Sequence, residues 1–121
     1  MNTLTQSELD GFTGTENYYR SFLNLKFTDG VKYMAEKAGA YWLIDAIASH
    51  QFNVNIQKNQ RLQDFQVWTL DVSPGKTAVL SCREDSGYPA VINQKIPYTD
   101  FPMAKIQLWV ENGVLILPSE H

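Results

Sequence analysis

The sequence predicts an α+β fold: N-terminal helices packed on one face of a four-stranded or five-stranded antiparallel meander sheet. Two observations carry this. Apolar residues recur at three and four positions only in the first half of the chain, whereas from residue 65 onward they alternate with polar ones and are broken by short turns. The dipeptide Asn112-Gly113 between two alternating runs adds the strongest short hairpin signal, because both positions must take positive φ.

Thr5-Gln6-Ser7-Glu8 has capping-box spacing and starts a short helix that Gly11 and Gly14 end. Tyr18 to Leu23 reads as a helical turn or a strand. Thr28-Asp29-Gly30 offers caps for a helix whose stripe is Val31, Met34, Ala35, Ala38 and Trp42. Beyond Gly39 the residues leave almost no polar face, so this half is expected to be buried on several sides, as one helix from Asp29 to His50 or as two abutting ones. The amide-rich stretch 51–64 reads as a polar connection, in which Phe52, Val54 and Ile56 alternate as a short edge strand would.

Period two then takes over. Trp68, Leu70 and Val72 alternate with Thr69 and Asp71, and Ala78, Leu80 and Cys82 alternate with Val79, Ser81 and Arg83 across a Ser73-Pro74-Gly75-Lys76 turn. Ile92, Gln94 and Ile96 give a further strand that Pro97 stops. Ala104, Ile106, Leu108 and Val110 line one face of the next, from Met103 to Glu111. A two-residue turn at 112–113 pairs Glu111 with Val114, Val110 with Leu115, Trp109 with Ile116 and Leu108 with Leu117.

The length, 121 residues, is that of one domain, 1–121, and too short for two separate cores. Three Trp, six Tyr and six Phe supply large surfaces for burial. Thirteen acids and ten bases give a net charge of −3 without a run of like charge, an unfavourable balance for nucleic acid. A single cysteine excludes an intrachain disulfide, the longest apolar run falls far short of a bilayer span, and the first twenty residues lack a signal-peptide pattern. A cytoplasmic location with no membrane partner is expected.

Trp109, Ile116, Val114, Phe65 and Val67 fall on the sheet face opposite the helices, too apolar a set to face water together. Three covers are open: the aromatic segment Phe12 to Phe27, a homodimer or another protein, or a ligand in a groove.

Asp45 is the only charge between Lys37 and Lys58, with Tyr41 one turn back and Ser49 one turn on. It reads either as a buried carboxylate satisfied by structural partners or as an acid–base group in a pocket between helix and sheet, with His50 nearby. His50 otherwise suits a helix C-terminus. His121 is expected as a mobile end, and no His or Cys has ligand spacing, so neither a metal site nor a cofactor is expected. Cys82 points inward as a small hydrophobe, with a nucleophilic role as the outside alternative. Tyr98 to Pro102 is a polar turn.

The segments TDGVKYMAEKAGAYWLIDAIASHQ at 28–51, FQVWTLDV at 65–72, PYTDFP at 97–102 and ENGVLILPSEH at 111–121 resemble those of an uncharacterised bacterial family associated with plasmids, phages and other mobile elements. The resemblance implies no activity and transfers no site residue. It favours a small accessory factor that acts by binding. The expected function is therefore a non-enzymatic binding or interaction protein that self-associates through the apolar sheet face. The alternative is a small-molecule-binding or hydrolytic domain using Asp45, Tyr41, Ser49 and His50.

Overall fold

The chain is organised by one crossover that carries nearly all its helices to one side of a sheet. In the computed structural model, which describes residues 3–121, α1 (Gln6–Asp10) is followed by a short hairpin, β1 (Tyr18–Arg20) and β2 (Lys26–Thr28). Four helices come next: α2 (Asp29–Ala38), α3 (Tyr41–His50), α4 (Val54–Gln57) and α5 (Gln60–Asp64). The strands β3 (Phe65–Val72), β4 (Ala78–Arg83), β5 (Ile92–Ile96), β6 (Lys105–Glu111) and β7 (Val114–Ile116) lead to a closing 3-10 turn at Pro118–Glu120. The sheet has seven strands in the order β1-β2-β7-β6-β3-β4-β5, with β2 and β7 parallel and every other pair antiparallel.

The expected four or five strands thus become seven, and the meander gives way to a mixed order. β6 returns past β4 and β5 to pair with the free side of β3. Through β7 and β6, strand β3 runs parallel to β2, so α2 to α5 together form a crossover between parallel strands. That connection covers one face only. The segment expected to cover the other face instead lengthens the sheet: β1 and β2 lie at its edge, the Phe12 ring packs 5.1 Å from that of Tyr33 on α2, and Phe27 enters the helix-side core.

Local chemistry explains the elements. Thr5 caps α1 by accepting from the Glu8 amide, while the Glu8 carboxylate also takes the Tyr33 hydroxyl at 2.6 Å and ties α1 to α2. Gly39 ends α2 at φ 62, a left-handed conformation that costs glycine little, so the expected stripe is split into two helices. On α3, Leu43, Ile44, Ile47 and Ala48 are buried, but Tyr41, Asp45 and Ser49 form an exposed stripe on a helix expected to have none. The amide-rich connection is two short helices rather than an edge strand. Asn53 and Asn59 cap them, and Ile56 and Leu62 anchor them in the core.

Sheet register sets the helix-side core in rows: Leu115 and Val110 beside Gln66, Leu108 beside Trp68, Cys82 and Ile92, and Ile106 beside Leu70 and Leu80. Full burial of such side chains contributes about 1.5–3 kcal/mol each. Gln66 is the polar member, 2% exposed, and it is fully engaged. Its amide exchanges two hydrogen bonds with Gln51, donates to the Leu62 carbonyl and accepts from the Trp68 indole at 2.7 Å. The Asn112-Gly113 turn takes φ of 51° and 81° and sets three of the four expected pairs, Glu111 with Val114, Val110 with Leu115 and Trp109 with Ile116, while β7 ends before Leu117 can pair with Leu108.

Both ends of the chain meet at the start of α2. Thr28 caps that helix by accepting from the Val31 amide and donates its own proton to the Glu120 carboxylate at 2.6 Å. Glu120 also accepts from the amides of Gly30 and Leu117. Asp29, beside it, accepts from the Tyr19 hydroxyl, the Thr15 hydroxyl and the amides of Glu16 and Asn17. Those donors, led by Tyr19, hold its carboxyl below the usual carboxylate range.

Two outcomes follow from this junction. A Cβ at Gly30 would stand 2.6 Å from Leu117 Cδ1 and 2.8 Å from the Glu120 carboxyl, whose hydrogen bonds prevent an easy retreat. Gly30→Ala is therefore expected to lower stability by about 1–3 kcal/mol in urea unfolding, despite alanine's higher helix propensity. Because the folded pKa of Asp29 is depressed, its contribution is present above about pH 4 and lost as pH falls through the folded value. Asp29→Asn should be less stable at pH 7, and the gap to the parent chain should close on acidification; a gap independent of pH would refute the assignment.

Candidate functional site on the open sheet face

Side chains alternate along each strand, so the register that builds the core also writes the opposite face. Its first row is Arg20, Lys26, Val114, Glu111 and Phe65, and the second is Ile116, Trp109, Val67 and Arg83. A third holds Gln107, Thr69, Ser81 and Asn93, and a fourth Lys105, Asp71, Val79 and Lys95. The apolar side chains gather in the first two rows, flanked by charges at the β1–β2 edge, while the third row is neutral and polar and the fourth is charged apart from Val79.

At the apolar end all five residues expected to form an interface come together. The Phe65 and Trp109 rings meet edge to face at 5.1 Å, a favourable aromatic geometry. Val67 and Ile116 are buried between their neighbours, while Phe65, Trp109 and Val114 are half-buried. His121, expected as a mobile end, packs its ring 5.2 Å from that of Trp109 and lies 2.7 Å from the Glu111 carboxylate. The last residue of the chain therefore shields part of this surface.

Beside the apolar end lies a hollow of about 200 Å³. Its lining comes from β3 (Val67, Thr69, Asp71), Arg83 of β4, and Lys105 and Gln107 of β6. The β4–β5 loop crosses the face there and supplies a wall at Ser86 and Gly87. Arg83 donates to the Ser81 hydroxyl at 2.9 Å, and the Trp109 indole donates to Gln107 Oε1 at 3.0 Å. Lys105 and Asp71 stand 3.8 Å apart as an exposed pair, an arrangement that contributes little to stability.

The residues expected to form a pocket between helix and sheet do not assemble one. Asp45 is exposed, as are Tyr41 and Ser49, because they share the outward stripe of α3. Asp45 therefore carries no burial cost and needs no buried partner. Ser49 donates to the Ala46 carbonyl one turn back. His50 alone turns toward the sheet, where its Nε2 lies 2.7 Å from Gln94 Oε1 and its ring packs 5.5 Å from that of Trp68.

Cys82 lies in the core, and burial pushes its thiol up to about 12, so it is protonated and a poor nucleophile at neutral pH. Among the described residues, no group of three or more His, Cys, Asp and Glu side chains is placed to hold a metal ion. No helix among them is long and apolar enough to cross a membrane.

Alternation alone assigns Thr69, Ser81, Arg83 and Gln107 to the outer face. What the sequence does not reveal is that β6 flanks β3 on the side a meander would leave as an edge, which brings Gln107 next to Thr69.

Comparison with curated proteins found no match, and comparison with solved structures found none either. Residues 3–121 match a family described as a family of unknown function (DUF6876). With nearly its whole length matched, the chain belongs to that family.

Proposed function

We propose that the chain is a non-enzymatic binding protein that works through the open face of its sheet and self-associates through the apolar end of that face. The observation that carries this reading is the cluster of Phe65, Trp109 and Val114, which stay half-buried around Val67 and Ile116 on a face opposite the crossover helices. Aromatic side chains already fixed by neighbours lose little entropy on docking, which favours such clusters at the centres of interfaces. A two-fold pairing would stack the cluster on its own copy and complete the burial that His121 begins. The resemblance of several segments to chains of mobile elements supports an accessory role for such a binder.

Phe65→Lys tests it. Glu111 is the cross-strand partner of Phe65 and can receive the new charge, so the fold should persist. A charge at the centre of an apolar contact should weaken self-association at least about tenfold. Native mass spectrometry and sedimentation at matched concentrations read the result. A parent chain that remains monomeric at about 100 μM, well above the dissociation constants usual for standard interfaces, overturns the proposal. So does a folded Phe65→Lys chain that is as dimeric as the parent.

A further inference from the structure

The polar hollow next to the apolar end gathers the donors of Thr69, Arg83, Lys105 and Gln107, with the Asp71 carboxylate as its one acidic side chain. Trp109 offers only an N–H, so its bond to Gln107 fixes which end of that amide is engaged: Oε1 is taken and the Nε2 protons are left. Arg83, which lines the hollow, is held there by donating to the Ser81 hydroxyl. Thr69, between Gln107 and Ser81 in the row, is only 5% exposed, and its hydroxyl has no hydrogen-bond partner among the described residues. No fully enclosed side-chain polar atom in the described residues lacks a partner, so the Thr69 hydroxyl opens on the hollow that its side chain lines.

Charge points the same way. The guanidinium of Arg83 has no carboxylate partner among the described residues, and Arg83 and Lys105 against Asp71 leave the lining with one net positive charge in a chain of net charge −3. A volume of about 200 Å³ lies below the ~300–1,000 Å³ of sites for drug-sized ligands. It suits a compact group.

We infer that the hollow lined by Thr69, Arg83, Gln107 and Lys105 is a binding site for a small oxyanion, a carboxylate or a phosphate, whose oxygens accept from these donors. Arg83, braced by its bond to Ser81, supplies the charge and a planar pair of N–H groups, while Thr69 and Gln107 orient the anion against the β4–β5 loop. The site lies beside the apolar cluster and does not depend on self-association.

The test is a heteronuclear NMR titration of the full chain at pH 7 with sodium phosphate and, separately, sodium acetate, each against sodium chloride at equal ionic strength. Saturable shifts of the Gln107 side-chain amide, the Arg83 side chain and the backbone of Thr69 and Ser81 are expected with at least one of the two anions, and the tighter anion identifies the class. Arg83→Gln should weaken that binding about tenfold, as loss of a charged hydrogen-bonding partner does. Thr69→Val keeps the shape and removes the unpartnered hydroxyl, so it should weaken binding at least threefold without lowering the melting temperature. Shifts no larger than those with chloride for both anions overturn the inference, as does binding that both folded variants retain in full. Running the same titration on Phe65→Lys separates this outcome from any failure to dimerise.

Discussion

The structure depends on the junction where residues 26–30 meet residues 114–120. Thr28 is at once the last residue of β2 and the cap of α2, so strand passes into helix with no loop between them. Its hydroxyl serves both sides of that change, accepting from Val31 and donating to Glu120. Parallel pairing of Lys26 and Phe27 with Val114 and Leu115 then fixes where the helix stands over the sheet. Two carboxylates, Asp29 and Glu120, sit at the positive end of α2; Glu120 satisfies the Gly30 amide that the helix start leaves unpaired, and Asp29 takes the amides of Glu16 and Asn17. The contacts join positions about ninety residues apart, so the edge hairpin, the crossover and the C-terminal turn are held by one set of hydrogen bonds.

Once β2 is placed, the uncovered face follows from topology. A crossover between parallel strands must pass over one side of the sheet, and here it contains every helix from α2 to α5. The remaining links between strands are hairpins or loops, too short to carry a second layer of helix. The outer side of β3 and β6 is therefore free for side chains that serve neither core nor crossover. The β4–β5 loop and the C-terminal residue partly wall it and turn a flat surface into a concave one.

Much of this was legible in the sequence where local chemistry decides the outcome. The cap at Thr28, the buried stripe from Val31 to Ala38, the period-two strands and the Asn112-Gly113 register all follow from residue type and spacing. Strands β1 and β2, three residues each, are too short for alternation to show, and only their pairing across the chain makes them strands. Asn53 and Asn59 look like loop residues because the same side chains that favour turns also cap helices. Asp45 misleads for a related reason: Tyr41 and Ser49 share its outward face, but one is aromatic and the other small, so the polar stripe of α3 is hidden in an apolar count.

Thr69 separates what folding requires from what it does not. It occupies a central strand, is nearly as buried as the core, and has a hydroxyl without a hydrogen-bond partner among the described residues. That hydroxyl opens on the hollow, so valine would fit the same β-branched site with no loss of a hydrogen bond inside the protein. Folding alone therefore does not call for threonine there, and valine is the residue found at position 67, two residues earlier on the same face. Gln107 adds to the contrast, since its acceptor is engaged by the Trp109 indole and its donors are left toward the hollow that Arg83 also lines. These donors, on β6, β3 and β4, have no role in the core below them, and their physical rationale lies in what the open face meets.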